Sequence, residues 1–400
     1  MKKAIAILLA VLMIAATAAC GGEGSDSTSS PPATDSGSVP TPSVSAGQTV
    51  QEGFELPYVD FGYAPSGDPF ARDKYQFAHI VMMHSPTTQI MVDMFNHIGT
   101  RLNFEVTSFD AYRDTDAFMN FIETNDAQGV DAMIIEGDFT TQDRIFEITN
   151  ELGVIFMPGL STFIDPSVNR YLRPSATLDS YSLGWGSMEY MLDNYEAHTG
   201  KPFDAEKTGF ITIEFAIITE FNVRRDGAID AYKARYGDYF STNHFNLDTS
   251  PEPNPVAAEC GYNYVATTIA AHPEFDNWIV FAVIEDFADG ASRALEDMGY
   301  GDNSIVTSVH AAILMDRWDS GYNGCWVGAA DTPNIHLAHA IISGLFLLLE
   351  GQDTPETLWQ QYRAPGQDYT VILMPYTMVT KDNYKDYQAA IDRYINDIFK

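Results

Sequence analysis

The residues able to do chemistry in this 400-residue chain stand, one after another, just beyond short apolar runs. His84, Ser85, Thr87 and Thr88 follow the run FAHIVMM, and Asp110 and Tyr112 follow LNFEVTS. Asp138 comes after AMIIE, and Ser161 after VIFM. Further on, Asn222 and Arg224 follow TGFITI, Glu285 and Asp286 follow WIVFA, His310 ends SIVTSV, and Asp331 closes a last segment. Carboxylates, hydroxyls, an amide and a guanidinium fork are groups that hold a small polar ligand, because each desolvated polar group of that ligand must regain a hydrogen bond. They do not form a reacting set. No nucleophile elbow accompanies the serines, and no glycine run cradles a phosphate. His336 and His339 are three apart, yet no Glu lies between them and no third ligand is near in sequence. Asp114-Thr115-Asp116 does not open a calcium loop. Neither a cofactor nor a metal is expected.

Each candidate has a second reading. Asp110 and Asp138 end strands and precede helices, where N-capping is an ordinary duty. Arg224 stands beside Arg225 and Asp226, so a local helix ion pair competes with ligand contact. One of Glu285 and Asp286 caps the following helix while the other binds. His310 is equally well read as a satisfied buried histidine. Trp185, Trp318 and Trp326 suit either a core or a stacking platform.

These side chains need a frame that delivers strand ends to one place. From residue 75 onward, buried runs of strand length alternate with segments of helical period. Strands are predicted at 77–83, 102–108, 132–135 and 154–157, with helices at 90–98, 117–124 and 142–152 between them. The rhythm restarts with a helix at 183–195, a strand at 208–213, a helix at 222–236 and an extended stretch at 239–246. It continues with a helix at 261–271, a strand at 278–282, a helix at 288–298 and a strand at 304–309. A last helix is expected over 385–399. Two successive βαβ series predict an α/β fold: two doubly wound parallel-sheet lobes joined by a hinge. In such sheets ligands bind beyond the carboxyl ends of the strands, which is where the candidates stand.

The chain opens differently. Lys2 and Lys3 precede an unbroken apolar run from Ala4 to Ala16, followed by Thr17, Ala18, Ala19 and Cys20. That is the layout of a secretory signal, and the run is shorter than the ~20 residues of a permanent membrane span. Thr17-Ala18-Ala19-Cys20 resembles the bacterial lipobox, with Thr where Leu is usual; the resemblance implies lipidation at Cys20 and removal of residues 1–19. Gly21 to Gln48 then holds five Gly, eight Ser, four Pro and three Thr and no aromatic residue. Such a stretch cannot bury enough apolar surface to order itself, so residues 20–72 are expected to form a tether. The formal net charge is −33. Contact of the protein surface with nucleic acid or an anionic bilayer is thereby disfavoured, leaving the lipid anchor as the membrane attachment. Cys260 and Cys325 are the remaining cysteines, free or paired.

Four stretches together resemble the ribose-binding-protein-like, type I periplasmic binding proteins. They are FAHIVMMHSPTTQIMVDMF, GVDAMIIEGDFTTQDRIFEITNELGVIFMPG, FNVRRDGAIDAYKARYG and HPEFDNWIVFAVIEDFADGASRALEDMGYGDNSIVTSVHAA. Their order and spacing match that family over about residues 75–350. The chain departs from the pattern at Thr87-Thr88, where an aromatic pair is usual, and at Ile284-Glu285-Asp286, where the family has an Asn-Asp turn. It departs again at His310, a common Asp, and at Pro158-Gly159-Leu160-Ser161, which lacks a polar Asp-Arg pair. The resemblance implies an extracytoplasmic, cell-membrane-anchored protein that captures a sugar and passes it to an ABC transporter permease, with no catalysis. The same scaffold also serves membrane sensor kinases or chemoreceptors, and accepts nucleosides, amino acids or autoinducer-like ligands. The lobes expected from it are 73–177 with 332–365, and 178–331 with 366–400.

Overall fold

A computed structural model describes residues 54–82, 84, 86–137, 141–160, 162–165, 167–168 and 170–399, with the side chains of 86 and 87 excluded. The signal, Cys20 and most of the expected tether lie outside the described residues, as do Ser85, Asp138 and Ser161.

The first series begins β1 (Tyr75–Val81), α1 (Pro86–Leu102), β2 (Phe104–Asp110), α2 (Thr115–Ala127) and β3 (Ala132–Glu136). It ends with α3 (Gln142–Leu152) and β4 (Phe156–Pro158). The strands form one parallel sheet in the order β2-β1-β3-β4. Side-chain alternation explains why both faces are covered. Phe77, Phe104, Val106 and Ile134 face one apolar cluster with Phe95 and Ile98, while Ala78, Ile80, Met133 and Ile135 face another with Phe118, Ile122 and Ile145. Local chemistry sets the helix ends. Asp114 caps α2 by accepting from the Ala117 N–H, and α3 stops at Gly153, whose φ of 71° suits a residue without a Cβ.

A short hairpin, β5 (Ile164–Asp165) with β6 (Arg170–Tyr171), leads to β7 (Ser175–Leu178) and α4 (Ser180–Thr199). The second series runs β8 (Thr208–Glu214), α5 (Thr219–Asn243), β9 (His244–Asp248), α6 (Ala258–Ala271), β10 (Asn277–Ala282) and α7 (Glu285–Asp297). It continues through β11 (Ser304–Val309), α8 (Ala312–Asp319) and β12 (Trp326–Asp331). The chain then makes α9 (Asn334–Leu349), β13 (Val371–Met374), β14 (Thr377–Thr380) and α10 (Tyr384–Asp397). The second sheet is ordered β14-β12-β11-β10-β8-β9, parallel except for β14 against β12. Every residue of β8 and β11 is buried, as expected where helices cover both faces.

Two segments differ from the pattern read in the sequence. Residues 239–243, expected to be extended, continue α5 beyond a break at Tyr236 (φ −134°, ψ 34°), so the strand starts only at His244. Val371–Met374 pairs in parallel with β7, which carries the chain back beside the first series before it returns at β14. The chain therefore crosses three times, after Leu178, after Asp331 and after Met374.

Residues 54–63, expected to belong to the tether, pack instead. Phe54 and Leu56 lie against the core of the second series, whereas Phe61 and Tyr63 are buried in that of the first. The Phe61 carbonyl accepts from Trp359 Nε1 at 3.0 Å, and Arg393 Nη2 donates to the Phe54 carbonyl at 2.7 Å. Helix α10 and the residue that follows it span the same two cores, through Tyr387 on one side and Ile398 on the other. Cys260 and Cys325 are both buried and free. Their sulfurs face different carbonyls, those of Asn254 and Ser292. Among the described residues no helix is long and apolar enough to cross a membrane.

Candidate functional site

The carboxyl ends of β10, β11 and β12 assemble the best-defined polar group. His310 follows β11 in a left-handed conformation (φ 68°), its N–H bonded to the Ala330 carbonyl across the sheet. That backbone turn brings its Nδ1 to 3.3 Å from Asp331 Oδ1. The other oxygen, Asp331 Oδ2, accepts from the buried Tyr387 hydroxyl at 2.9 Å. A carboxylate can only accept, so His310 Nδ1 carries a proton, and in the neutral ring Nε2 is an acceptor. The Tyr387 hydroxyl is held far above its usual pKa, by burial first and by Asp331 second.

Glu285 stands at the neighbouring strand end. Its Oε2 accepts from the Ile313 N–H at 2.7 Å and so caps α8, not the helix that Glu285 itself begins. Burial raises its carboxyl to about 7, with Asp331, Asp286 and Asp316 adding to the effect and the Ile313 N–H opposing it. Burial likewise raises Asp286. The folded state thus keeps a proton on Glu285 that the unfolded chain gives up near its ordinary 4.5, and stability falls as pH climbs from there to about 7. Glu285→Gln keeps the acceptor for Ile313 and removes the charge. Its melting midpoint is expected to match that of the parent near the ordinary carboxyl pKa and to exceed it by a few degrees above neutrality. Differential scanning calorimetry across pH checks this, and parallel curves for the two proteins would remove Glu285 as the source.

Arg224 does not make the helix ion pair that its sequence neighbourhood suggested. It is 4% exposed and donates from Nη1 to the Val283 carbonyl at 2.9 Å, just before the Glu285 turn. Burial lowers its pKa to about 10. The helix ion pair belongs to Arg225, which meets Asp226 and, at 2.5 Å, Glu214. Glu214 ends β8, is 1% exposed, and also accepts from Asn246 Nδ2 at 2.6 Å. Asn222 donates to the Ala216 carbonyl. Three buried atoms at this end of the sheet, Arg224 Nε, Asn222 Oδ1 and Glu214 Oε2, have no partner among the described residues.

On the first sheet, β1 and β2 end side by side with Asp110 opposite Val81, and His84 follows β1 by three residues. Asp110 does not cap a helix. Its Oδ1 accepts from the Tyr112 N–H at 2.7 Å, closing a turn through Tyr112 and Arg113, both left-handed, while Asp114 performs the capping. Thr88 is buried in α1, and Thr87 begins the same helix.

Two residues not singled out in the sequence complete this edge. His79, wholly buried in the middle of β1, places Nε2 2.8 Å from Oε1 of Glu136, the last residue of β3. Its Nδ1 lies 3.3 Å from Ser108 Oγ on β2. Trp318 and Trp326 are core residues; Trp185 is half-buried against Tyr181. His336 is buried and His339 half-buried in α9, which lowers both to about 4, and no group of metal-ligating side chains occurs among the described residues.

No protein-family model matches the chain, and no curated protein matches its sequence. Solved structures do. A carbohydrate transporter solute-binding protein from Agrobacterium radiobacter in complex with D-arabinose superimposes with a TM-score of 0.60 at 18% identity, over 81% of this chain and 99% of the other. The chain has the type I periplasmic binding protein fold. A myo-inositol-bound ABC transporter solute-binding protein from Bacillus halodurans aligns with a TM-score of 0.60 at 17% identity, covering 80% of this chain and 98% of that one. The 5-methylthioribose transporter solute-binding protein from Thermotoga lettingae gives 0.61 at 15%, over 84% and 94%. Asp110 and Glu136 end strands of the first sheet, and Glu285, His310 and Asp331 stand at strand ends of the second.

Proposed function

We propose that this protein is an extracytoplasmic solute-binding lipoprotein that takes up a neutral, hydroxyl-rich solute, a sugar or cyclic polyol, for an ABC importer. The observation carrying this reading is the set of acceptors at the carboxyl ends of both parallel sheets. Glu136 and Asp110 lie on one side, and Glu285, Asp331 and the His310 ring on the other. Carboxylates and imidazole nitrogen accept hydrogen bonds from hydroxyls, and the charge of the ionised carboxylates opposes an anionic solute. His84, Ser85, Thr87, Thr88, Asp138 and Ser161 would add contacts from the first lobe, and Asn222, Arg224 and Asp286 from the second. Unpartnered Arg224 Nε and Asn222 Oδ1 suit this role, since burial without a partner costs about 1–3 kcal/mol per group. Closure about the three crossings would bring the two sets onto one ligand. Export through the signal, lipidation at Cys20 and hand-over to a permease complete the proposal; no cofactor and no catalytic step belong to it.

Thermal-shift measurements with D-allose, D-arabinose, myo-inositol and allitol test it. A ligand at 100 times its dissociation constant adds ~2.7 kcal/mol to stability, so at least one is expected to raise the melting midpoint by several degrees. Silence with all four, together with no heat in calorimetry, would overturn the reading.

A further inference from the structure

Glu136 closes an otherwise apolar strand, and the structure gives its charge a specific holder. His79 lies three residues before the loop after β1, on the face packed against Phe95 of α1, and no part of it reaches solvent. The Glu136 carboxylate accepts only, so His79 Nε2 carries a proton, and in the neutral ring Nδ1 accepts from the Ser108 hydroxyl. The chain of bonds is complete and runs one way, from Ser108 on β2 through His79 on β1 to Glu136 on β3. A polar ring buried in the middle of a strand would otherwise leave two nitrogens unsatisfied, at a cost no packing gain recovers. The register permits the arrangement, because His79 pairs with Ser108 on one side and Glu136 is opposite Val81 on the other. Space is reserved as well. A Cβ at position 159, just past β4, would overlap the Glu136 side chain, so Gly159 leaves room for the carboxylate at the sheet edge. The side chain is 14% exposed, and among the described residues its second oxygen makes no hydrogen bond.

We infer that Glu136 is a specificity-determining acceptor for the solute and that His79 is its positioning residue, fixing the carboxylate so that Oε2 receives a hydroxyl of the ligand. The inference rests on the solute-binding reading above and deepens it. It places on the first lobe a carboxylate–imidazole pair matching His310–Asp331 on the second, so that the ligand must present hydroxyl donors towards both sheets. A charge-assisted bond of this kind also explains why His79, and not an apolar residue, occupies the interior of β1.

Isothermal titration of the full chain with D-allose, D-arabinose and myo-inositol provides the test, comparing the parent with Glu136→Gln, His79→Phe and His79→Gln. Glu136→Gln keeps an oxygen for the His79 proton and should melt within a few degrees of the parent, yet bind roughly 10–100-fold more weakly. His79→Phe keeps the ring but not the donor and should weaken binding about tenfold. His79→Gln, which can still donate to Glu136, should recover most of that loss. Long-range nitrogen–proton spectra should show the Nε2-protonated tautomer in the parent and a shifted Nε2 signal in Glu136→Gln. Unchanged affinity in Glu136→Gln, with the parent binding, overturns the inference while leaving the solute-binding reading intact. Equal loss in both His79 variants reduces His79 to a packing residue. If the parent binds none of these three or allitol, the reading itself fails and this inference falls with it.

Discussion

Replacing Asp331 by Ala should cost at least 100-fold in affinity for the solute and destabilise the protein at the same time. Asp331 is the last residue of β12, where the chain leaves the second sheet, and both of its oxygens are engaged, by His310 and by Tyr387. Truncation removes the acceptor that fixes the His310 tautomer and strands the Tyr387 hydroxyl, which is wholly buried, without a partner. The orphaned hydroxyl alone is worth about 1–3 kcal/mol of stability. The affinity loss corresponds to about 2.7 kcal/mol, the scale of a charged hydrogen-bonding group lost from a closed site. Asp331→Asn separates the two effects. It can still accept from Tyr387, so its melting midpoint should stay near that of the parent while binding falls. Calorimetric titration and thermal melts of both variants check this; parent-like affinity in Asp331→Ala would exclude Asp331 from the site.

Much of the frame was legible because it rests on periodicity. Gln142–Leu152 was read from Ile145 and the residues around it, and the buried strands at 208–213 and 304–309 from short β-branched and apolar runs, since local pattern and tertiary role agree there. The site was legible only in outline. Position after a strand identified His310, Asp331 and Glu285, but nothing local showed that Glu285 would cap α8, a helix that starts beyond the next strand. The competing ion pair fell to Arg225 because two adjacent arginines on a helix point in different directions; the one aimed inward took a carbonyl and its neighbour took the carboxylates. His79 and Glu136 were passed over as strand residues. The signal existed: a histidine inside FAHIVMM and a glutamate closing AMIIE are polar groups in buried positions, and buried polar groups require partners. Strands β13 and β7 escaped because each is four residues long and their pairing joins segments far apart in sequence.

The second large effect is expected from one methyl group. Gly184 on α4 and Gly227 on α5 face each other's backbone where the two helices cross. A Cβ at 184 would overlap the Arg224 carbonyl oxygen, and one at 227 would overlap that of Tyr181. In an exposed helix, Gly→Ala stabilises by about 1 kcal/mol. Here the clash is with backbone on both sides, which cannot swing aside as a side chain does, and overpacking outweighs propensity. Gly184→Ala should lose about 3 kcal/mol and lower the melting midpoint by roughly 6–12 °C. Because α5 also carries Arg224 and Arg225, the displaced helix should loosen their bonds to Val283 and Glu214, so affinity should fall in the same variant. A melting midpoint within about 2 °C of the parent would show that the helices yield at no cost.

The segment from Phe54 to Tyr63 leans on one core with its first residues and on the other with its last, and α10 repeats that double attachment near the carboxyl end. Two separate laces thus bind the halves along their spine. Any tug transmitted down the polypeptide from its amino-terminal side would reach both halves together, through Phe54 and Phe61, instead of prying one jaw from the other. In the lipid-anchored protein proposed above, a pull on the tether would therefore leave the angle between the halves to whatever binds between them.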